Sequence, residues 1–234
     1  MLPLRDNVPT RTFPVVTVGL IVANFIVFFW ELSGRGLTYH VFRDAFYPCS
    51  VDSTCVPGTP RHIEWVEGVF TSMFMHGGWE HILGNMLFLW IFGNNVEDAL
   101  GRVQFLLWYI AAGIAATATQ TAVTLAFASH AGASIPNVGA SGAIAGVLGA
   151  YFLLLPGARV LTLIFLVIIF FVEVPAVVFL GVWFAFQAWQ GGFSLLQPNA
   201  GGGVAFFAHI GGFAYGLATI RLFVRRKPMR PLYR

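Results

Sequence analysis

The sequence predicts an all-α polytopic membrane protein, a bundle of six transmembrane helices, and three observations predict it. Of 234 residues, 57% are hydrophobic and only 10% are charged, where soluble domains carry about 25% charged residues. Mean hydropathy is +0.76. The apolar residues gather into six stretches near the roughly 17–25 residues that a lipid span requires. Glycine and phenylalanine are abundant, at 26 and 24 residues, as suits helices that pack closely in lipid. The net charge of +3 and pI near 9.1 do not signal a nucleic-acid partner, because the basic residues crowd the C-terminus and act as topology signals.

The first span is expected from about Phe13 to Trp30. Its apolar run, Val15 to Trp30, exceeds the roughly 7–15 residues of a signal-peptide core and no small-x-small site follows, so it reads as uncleaved. The second runs from near His81 to near Asn95 and is short. The third covers about Val103 to Phe127. The fourth runs from near Val138 to Leu155, stopped by Pro156-Gly157. The fifth lies near Pro175 to Gln190 and the sixth near Ala205 to Phe223. Val160 to Val172 is apolar but too short to span by itself, and Pro175 breaks a helix running through it; it is taken as a membrane-dipping connection. The chain then divides into a short N-terminal stretch (1–12), a six-helix domain (13–223) with a long outer loop at about 31–80, and a basic tail (224–234).

Six spans place both termini on one side. That side holds Arg5, Arg11, Arg102, Arg159, Arg221, Arg225, Arg226, Lys227, Arg230 and Arg234, against Arg35, Arg43 and Arg61 on the other. The positive-inside rule puts both termini in the cytoplasm, and the expected location is a bacterial-type plasma (inner) membrane. The long first loop is then outside. Its two cysteines, Cys49 and Cys55, are expected to form a local disulfide there, with free thiols as the alternative; lacking a nearby histidine pair, they make a poor zinc site.

The second, fourth and sixth spans all run from outside to inside. His81 and Asn85 start the second, Ser141 the fourth and His209 the sixth, so all lie at matched depth below the outer surface. Alone, Ser141 between glycines reads as a helix contact, and His81 and Asn85 as caps. A histidine in lipid needs a partner, and serine and histidine at one depth point to a nucleophile and its base. No acidic residue lies in the outer halves of these spans, so the candidate is a Ser–His dyad rather than a triad. Gly142-xxx-Gly146 and Gly212-xxx-Gly216 are small-xxx-small faces that let the fourth and sixth helices touch. His81 and Asn85, spaced i, i+4, share a helix face. With the backbone N–H of Ser141 they offer donors to a developing oxyanion. His76, just before the second span, is given a supporting role. Glu97, Asp98 and Arg102 lie at the far end, as a loop-stabilising network. No P-loop, dinucleotide fingerprint, HExxH or paired CxxC appears, and neither a metal nor an organic cofactor is implied.

His81-x-x-x-Asn85, Gly139-Ala-Ser141-Gly142 and Ala208-His209-x-x-Gly212, with Thr71 to His76 and Glu97-x-x-x-Gly101-Arg102, together resemble the rhomboid family of intramembrane serine proteases. The resemblance covers the chain from the first span onward. It implies a serine endopeptidase in a six-helix rhomboid-like bundle. Ser141 would be the nucleophile, His209 the general base, and His81, Asn85 and the Ser141 N–H the oxyanion hole. It also implies single-span membrane proteins as substrates, an active site opening to the outer face, a lateral gate at about Pro175 to Gln190 and a mobile cap at about Gly191 to Val204. Two positions depart from the family pattern. The Trp-Arg pair of the first outer loop is Trp65-Val66 here. The aromatic one turn after the serine is Ala145, leaving histidine orientation to another aromatic. Two other classes compete: a catalytically silent rhomboid-like protein that binds membrane helices, against which both Ser141 and His209 speak, and a small transporter, for which no inverted repeat is visible.

Overall fold

A backbone in lipid has to satisfy its own N–H and C=O groups, and a helix does so within one segment. The chain is accordingly mostly helical. The computed structural model describes residues 1–60, 63–165, 169–196 and 205–233. In chain order these form strand β1 (Leu2–Asp6), α1 (Val15–Leu32), α2 (Leu37–Asp44), α3 (Trp65–Ser72), α4 (Trp79–Phe88), α5 (Asn94–Leu100), α6 (Arg102–Phe127), α7 (His130–Ala133), α8 (Ser141–Leu154), β2 (Arg159–Phe165), β3 (Ile169–Pro175), α9 (Ala176–Leu196) and α10 (Phe206–Phe223). Arg61, Arg234 and residues 197–204, most of the expected cap, lie outside the described residues.

Four helices, α1, α6, α9 and α10, are long and apolar enough to cross a membrane. The other two expected spans are built differently. The second is α4 and α5 joined through a π-helical stretch, Leu89–Gly93, so the helical path continues past its expected end near Asn95. The fourth, α8, has 14 residues and is buried from Gly142 to Tyr151. A helix this short does not span lipid alone, but α8 meets protein on its flanks. Ala112 and Ala116 of α6 lie against Gly146 and Gly142, and α10 lies on the other side. There the glycine faces do what their spacing predicts: a Cβ at Gly212 would overlap the carbonyl oxygen of Gly142, and one at Gly216 that of Gly146. The α8–α10 backbones touch directly.

The segment taken as a membrane-dipping connection is a β-hairpin. β2 pairs antiparallel with β3 from Arg159↔Pro175 to Phe165↔Ile169, and β1 pairs antiparallel with β2 on its other edge, in the order β1-β2-β3. Its β-branched and aromatic residues favour a strand, and Pro175 sits at a strand end, where its missing N–H is tolerated. The N-terminal residues 2–6, read as part of a short terminal stretch, are thus one strand of this sheet.

Both chain ends close over this face. The N–H of Leu232 donates to Asn7 O (2.9 Å), the side-chain amide of Asn7 to Tyr233 O (2.7 Å), and Arg11 to Asp98 (2.7 Å) and to Lys227 O (2.7 Å). Glu97 takes the place of an N-cap for α1. Pro14 offers no side-chain cap, and the Glu97 carboxylate accepts from Val16 N, Thr17 N and the Thr17 hydroxyl at 3.1, 2.7 and 2.8 Å. A carboxylate at a helix N-terminus satisfies orphan donors and complements the dipole.

Candidate active site

Ser141 is the first residue of α8, and His209 lies in the first turn of α10. Because these helices touch through glycine, the side chains of their first turns converge. His209 Nε2 and Ser141 Oγ are 2.8 Å apart. The approach to α8 is held from the outer loop. The N–H of Gly139 donates to Ser72 O (2.8 Å), and that of Asn137 to Phe46 O (2.8 Å). Gly139 has φ +127°, a conformation that glycine alone adopts readily. Cys49 and Cys55 are joined in a disulfide. Cys49 is packed with Ala45, Tyr47 and Ala133, and Val138 covers that cluster, so the disulfide braces the stretch leading to Ser141. Gln120 of α6, which the sequence reading did not single out, accepts from Ala208 N at 3.1 Å and so fixes the first turn of α10.

His81 and Asn85 stand on α4. The N–H of Gly77 donates to His81 Nδ1 (3.4 Å), which leaves the ring proton on Nε2. That Nε2–H faces the same point as the serine. A side chain at position 139 would begin 2.7 Å from His81 Nε2 and 3.5 Å from Ser141 Oγ. His76 is fully buried. Its Nδ1 bonds the carbonyl of Phe74 at 3.2 Å, so Nδ1 carries the proton and Nε2 accepts from the Asn85 amide at 3.0 Å. The His76 backbone N–H is in turn held by Glu31 at 3.1 Å. His76 therefore fixes which end of the Asn85 amide is the donor and leaves its second N–H free to turn toward the site.

Two more residues reach His209, both from α9 and neither singled out by the sequence reading. Gln187, 7% exposed, places Oε1 2.8 Å from His209 Nδ1. The Trp183 ring lies 5.8 Å from the imidazole. They are spaced i, i+4 and share a helix face. Trp183 is the aromatic beside the imidazole, while Ala145 packs against Gly212. The available signal was a glutamine inside an apolar run, since a polar residue in a membrane helix is a functional candidate. A small cavity of about 30 Å³ reaches Ser141 from the α6 side, with Ser72, Thr117, Gln120 and Asn137 among its lining residues. The structure thus brings together Ser141, His209, His81, Asn85, His76, Gly139, Gly142 and Gly212, and keeps Glu97 and Asp98 at the other end.

Comparison with known proteins identifies the family. The Rhomboid domain family matches residues 64–226. Rhomboid protein 1, mitochondrial, of Saccharomyces cerevisiae is 32% identical over 154 residues, 64% of this chain and 39% of that protein. Presenilin-associated rhomboid-like protein A, mitochondrial, of Danio rerio is 36% identical over 88 residues, 38% of this chain and 22% of that protein. Rhomboid protease GluP of Bacillus subtilis is 40% identical over 87 residues, 37% of this chain and 15% of that protein. The chain spans well under half the length of these relatives. They also correct the expected location. Mitochondrial rhomboid proteins of yeast, fish and cattle are among the relatives, which overturns the expectation of a bacterial plasma membrane. The charge bias of loops reports sidedness during insertion and carries no information about which membrane receives the chain. The match runs from the helix before the first site histidine through the helix that carries the last, and the chain belongs to the rhomboid family.

Proposed function

We propose that this chain is an intramembrane serine endopeptidase that hydrolyses a peptide bond in or near a transmembrane segment of another membrane protein. The observation that carries the reading is the 2.8 Å contact between His209 Nε2 and Ser141 Oγ, within the reach that proton transfer requires. In this reading His209 takes the hydroxyl proton as Ser141 Oγ bonds to the scissile carbonyl carbon. The carbonyl electrons move onto oxygen, which lies against the Ser141 N–H, the His81 Nε2–H and the free Asn85 N–H. The proton held on Nε2 passes to the leaving amine, and a water deacylates the serine with the same base. Oxyanion donors of this kind are typically worth about 10²–10³ in kcat each.

The substrates proposed are single-span membrane proteins, reached through the lipid face. The name of the Bacillus subtilis relative, rhomboid protease GluP, supports a proteolytic reading, and the small cavity at Ser141 has room for about one water. The fifth helix, α9, is proposed as the lateral gate. The test is labelling of purified protein by a fluorophosphonate, with cleavage of a model transmembrane substrate in liposomes. Wild type is expected to label and cleave, and Ser141→Ala and His209→Ala to lose both. Labelling that persists in Ser141→Ala would remove the nucleophile assignment. A folded wild type that neither labels nor cleaves would favour a silent, helix-binding relative.

A further inference from the structure

A serine–histidine dyad leaves one ring nitrogen of the base unaccounted for, and in a low-dielectric site that nitrogen matters. The imidazole has two neutral tautomers. Only the one with its proton on Nδ1 leaves Nε2 with the lone pair that accepts the serine proton. After the transfer both nitrogens carry protons, and the cation needs an acceptor at Nδ1. Soluble triads supply a carboxylate there. In a membrane helix a carboxylate is costly, and no carboxylate among the described residues is bonded to this ring.

Gln187 occupies the place of that third group. Its Oε1 lies 2.8 Å from Nδ1, on the opposite side of the ring from Ser141 Oγ at 2.8 Å from Nε2. The chain Gln187–His209–Ser141 draws on three separate helices, α9, α10 and α8. An amide oxygen accepts hydrogen bonds and carries no net charge, so it selects the tautomer without the burial cost of an ion. Gln187 is nearly fully buried, so an unbonded amide there would be unfavourable; the bond to Nδ1 gives it a partner. Trp183, one turn earlier, packs beside the imidazole and limits its rotation.

We propose that Gln187 is a positioning residue for His209: its amide oxygen accepts the Nδ1 proton, holds the ring in the tautomer that makes Nε2 a base, and keeps that bond when the ring becomes imidazolium. The inference rests on the reading of Ser141 and His209 as nucleophile and base. The Nδ1 proton is not transferred. The proton that moves goes from Ser141 Oγ to Nε2 and then to the leaving amine.

The test uses the full chain in lipid nanodiscs, comparing wild type, Gln187→Met, Gln187→Glu, Ser141→Ala and His209→Ala. Methionine keeps length and removes the acceptor; glutamate restores an acceptor. Gln187→Met is expected to lower kcat for a model transmembrane substrate about 10–100-fold with KM within about twofold, as loss of a transition-state interaction does. Gln187→Glu is expected to recover most of that loss. Ring ¹⁵N shifts, with His209 assigned by its absence in His209→Ala, are expected to show the Nδ1–H tautomer in wild type and a mixture in Gln187→Met. An Nε2–H tautomer in wild type would overturn the proposal, as would unchanged kcat in Gln187→Met. Equal losses in Gln187→Met and Gln187→Glu with a raised KM would make Gln187 a packing or substrate-contact residue. Cleavage that survives in Ser141→Ala and His209→Ala would instead refute the dyad reading itself, whatever the glutamine variants do.

Discussion

At the scale of single residues, the polar groups of the site come in bonded pairs that decide where each proton sits. His76 takes one N–H of Asn85 and so presents the other, and Gly77 takes the lone pair of His81 Nδ1 and so presents Nε2–H. Asn85→Ala is expected to reduce kcat about 10²–10³-fold with little change in KM, read in the liposome cleavage assay. His76→Phe keeps an aromatic ring and removes the acceptor. It is expected to reduce kcat about tenfold, since outer groups that orient a functional side chain typically cost about 10–100-fold when removed. These residues differ in how far sequence disclosed them. Ser141, His209, His81 and Asn85 were legible because span direction fixes depth, and polar residues in apolar helices are few. The exact partner of His209 Nδ1 was not, because Gln187 lies on the fifth helix, which runs the other way, and nothing in its spacing relates it to position 209. His76 was legible as a support, but its task depends on a bond to Asn85 that only the folded chain displays.

At the scale of elements, α8 works because its neighbours replace lipid. Its glycines admit α10 to backbone contact, and that contact sets the distance between Ser141 and His209. Gly216→Val would force a branched side chain against Gly146. Overpacking of this kind costs about 1–3 kcal/mol, so a lower melting temperature in detergent is expected, together with loss of fluorophosphonate labelling as the helices part. A variant that loses stability but labels normally would show that the contact holds the bundle and not the site. The glycine faces were readable from the four-residue spacing. The hairpin was not, for a physical reason. A short apolar run bounded by proline fits a strand, a buried helix or an interfacial piece equally well, and the deciding partner, β1, lies about 150 residues earlier and has no pattern of its own.

At the scale of the whole molecule, the end opposite the site is held by buried polar contacts on the sheet. Asp6 accepts from the Tyr151 hydroxyl and from Asn95 at 2.8 Å. Burial raises its pKa from 3.8 to about 6, against the lowering effect of the Tyr151 bond. A carboxyl that binds its proton more tightly when folded adds stability that is complete below pH 3.8 and is lost as pH rises through about 6. The loss amounts to about 3 kcal/mol at the usual conversion of 1.36 kcal/mol per pKa unit. Asp6→Asn is therefore expected to flatten the fall in melting temperature between roughly pH 4 and pH 6.5 and to leave the variant the more stable at neutral pH. Parallel melting curves for wild type and variant would mean that Asp6 keeps its ordinary affinity for protons.

The sheet also has a place in time. β1 is made long before its partner β2, which begins at Arg159, and the segment at Leu232 and Tyr233 that bonds Asn7 is made later still. At about 5–20 residues per second of synthesis, the first strand waits roughly 8–30 s for its partner. Closure can follow only after the intervening helices have entered the bilayer in the right order and direction, because a single inverted helix would leave β1 and β2 on opposite sides. The small sheet is thus a record of correct insertion. A chain that has gone astray keeps an unpaired N-terminal strand, the kind of exposed edge by which quality-control machinery can recognise it.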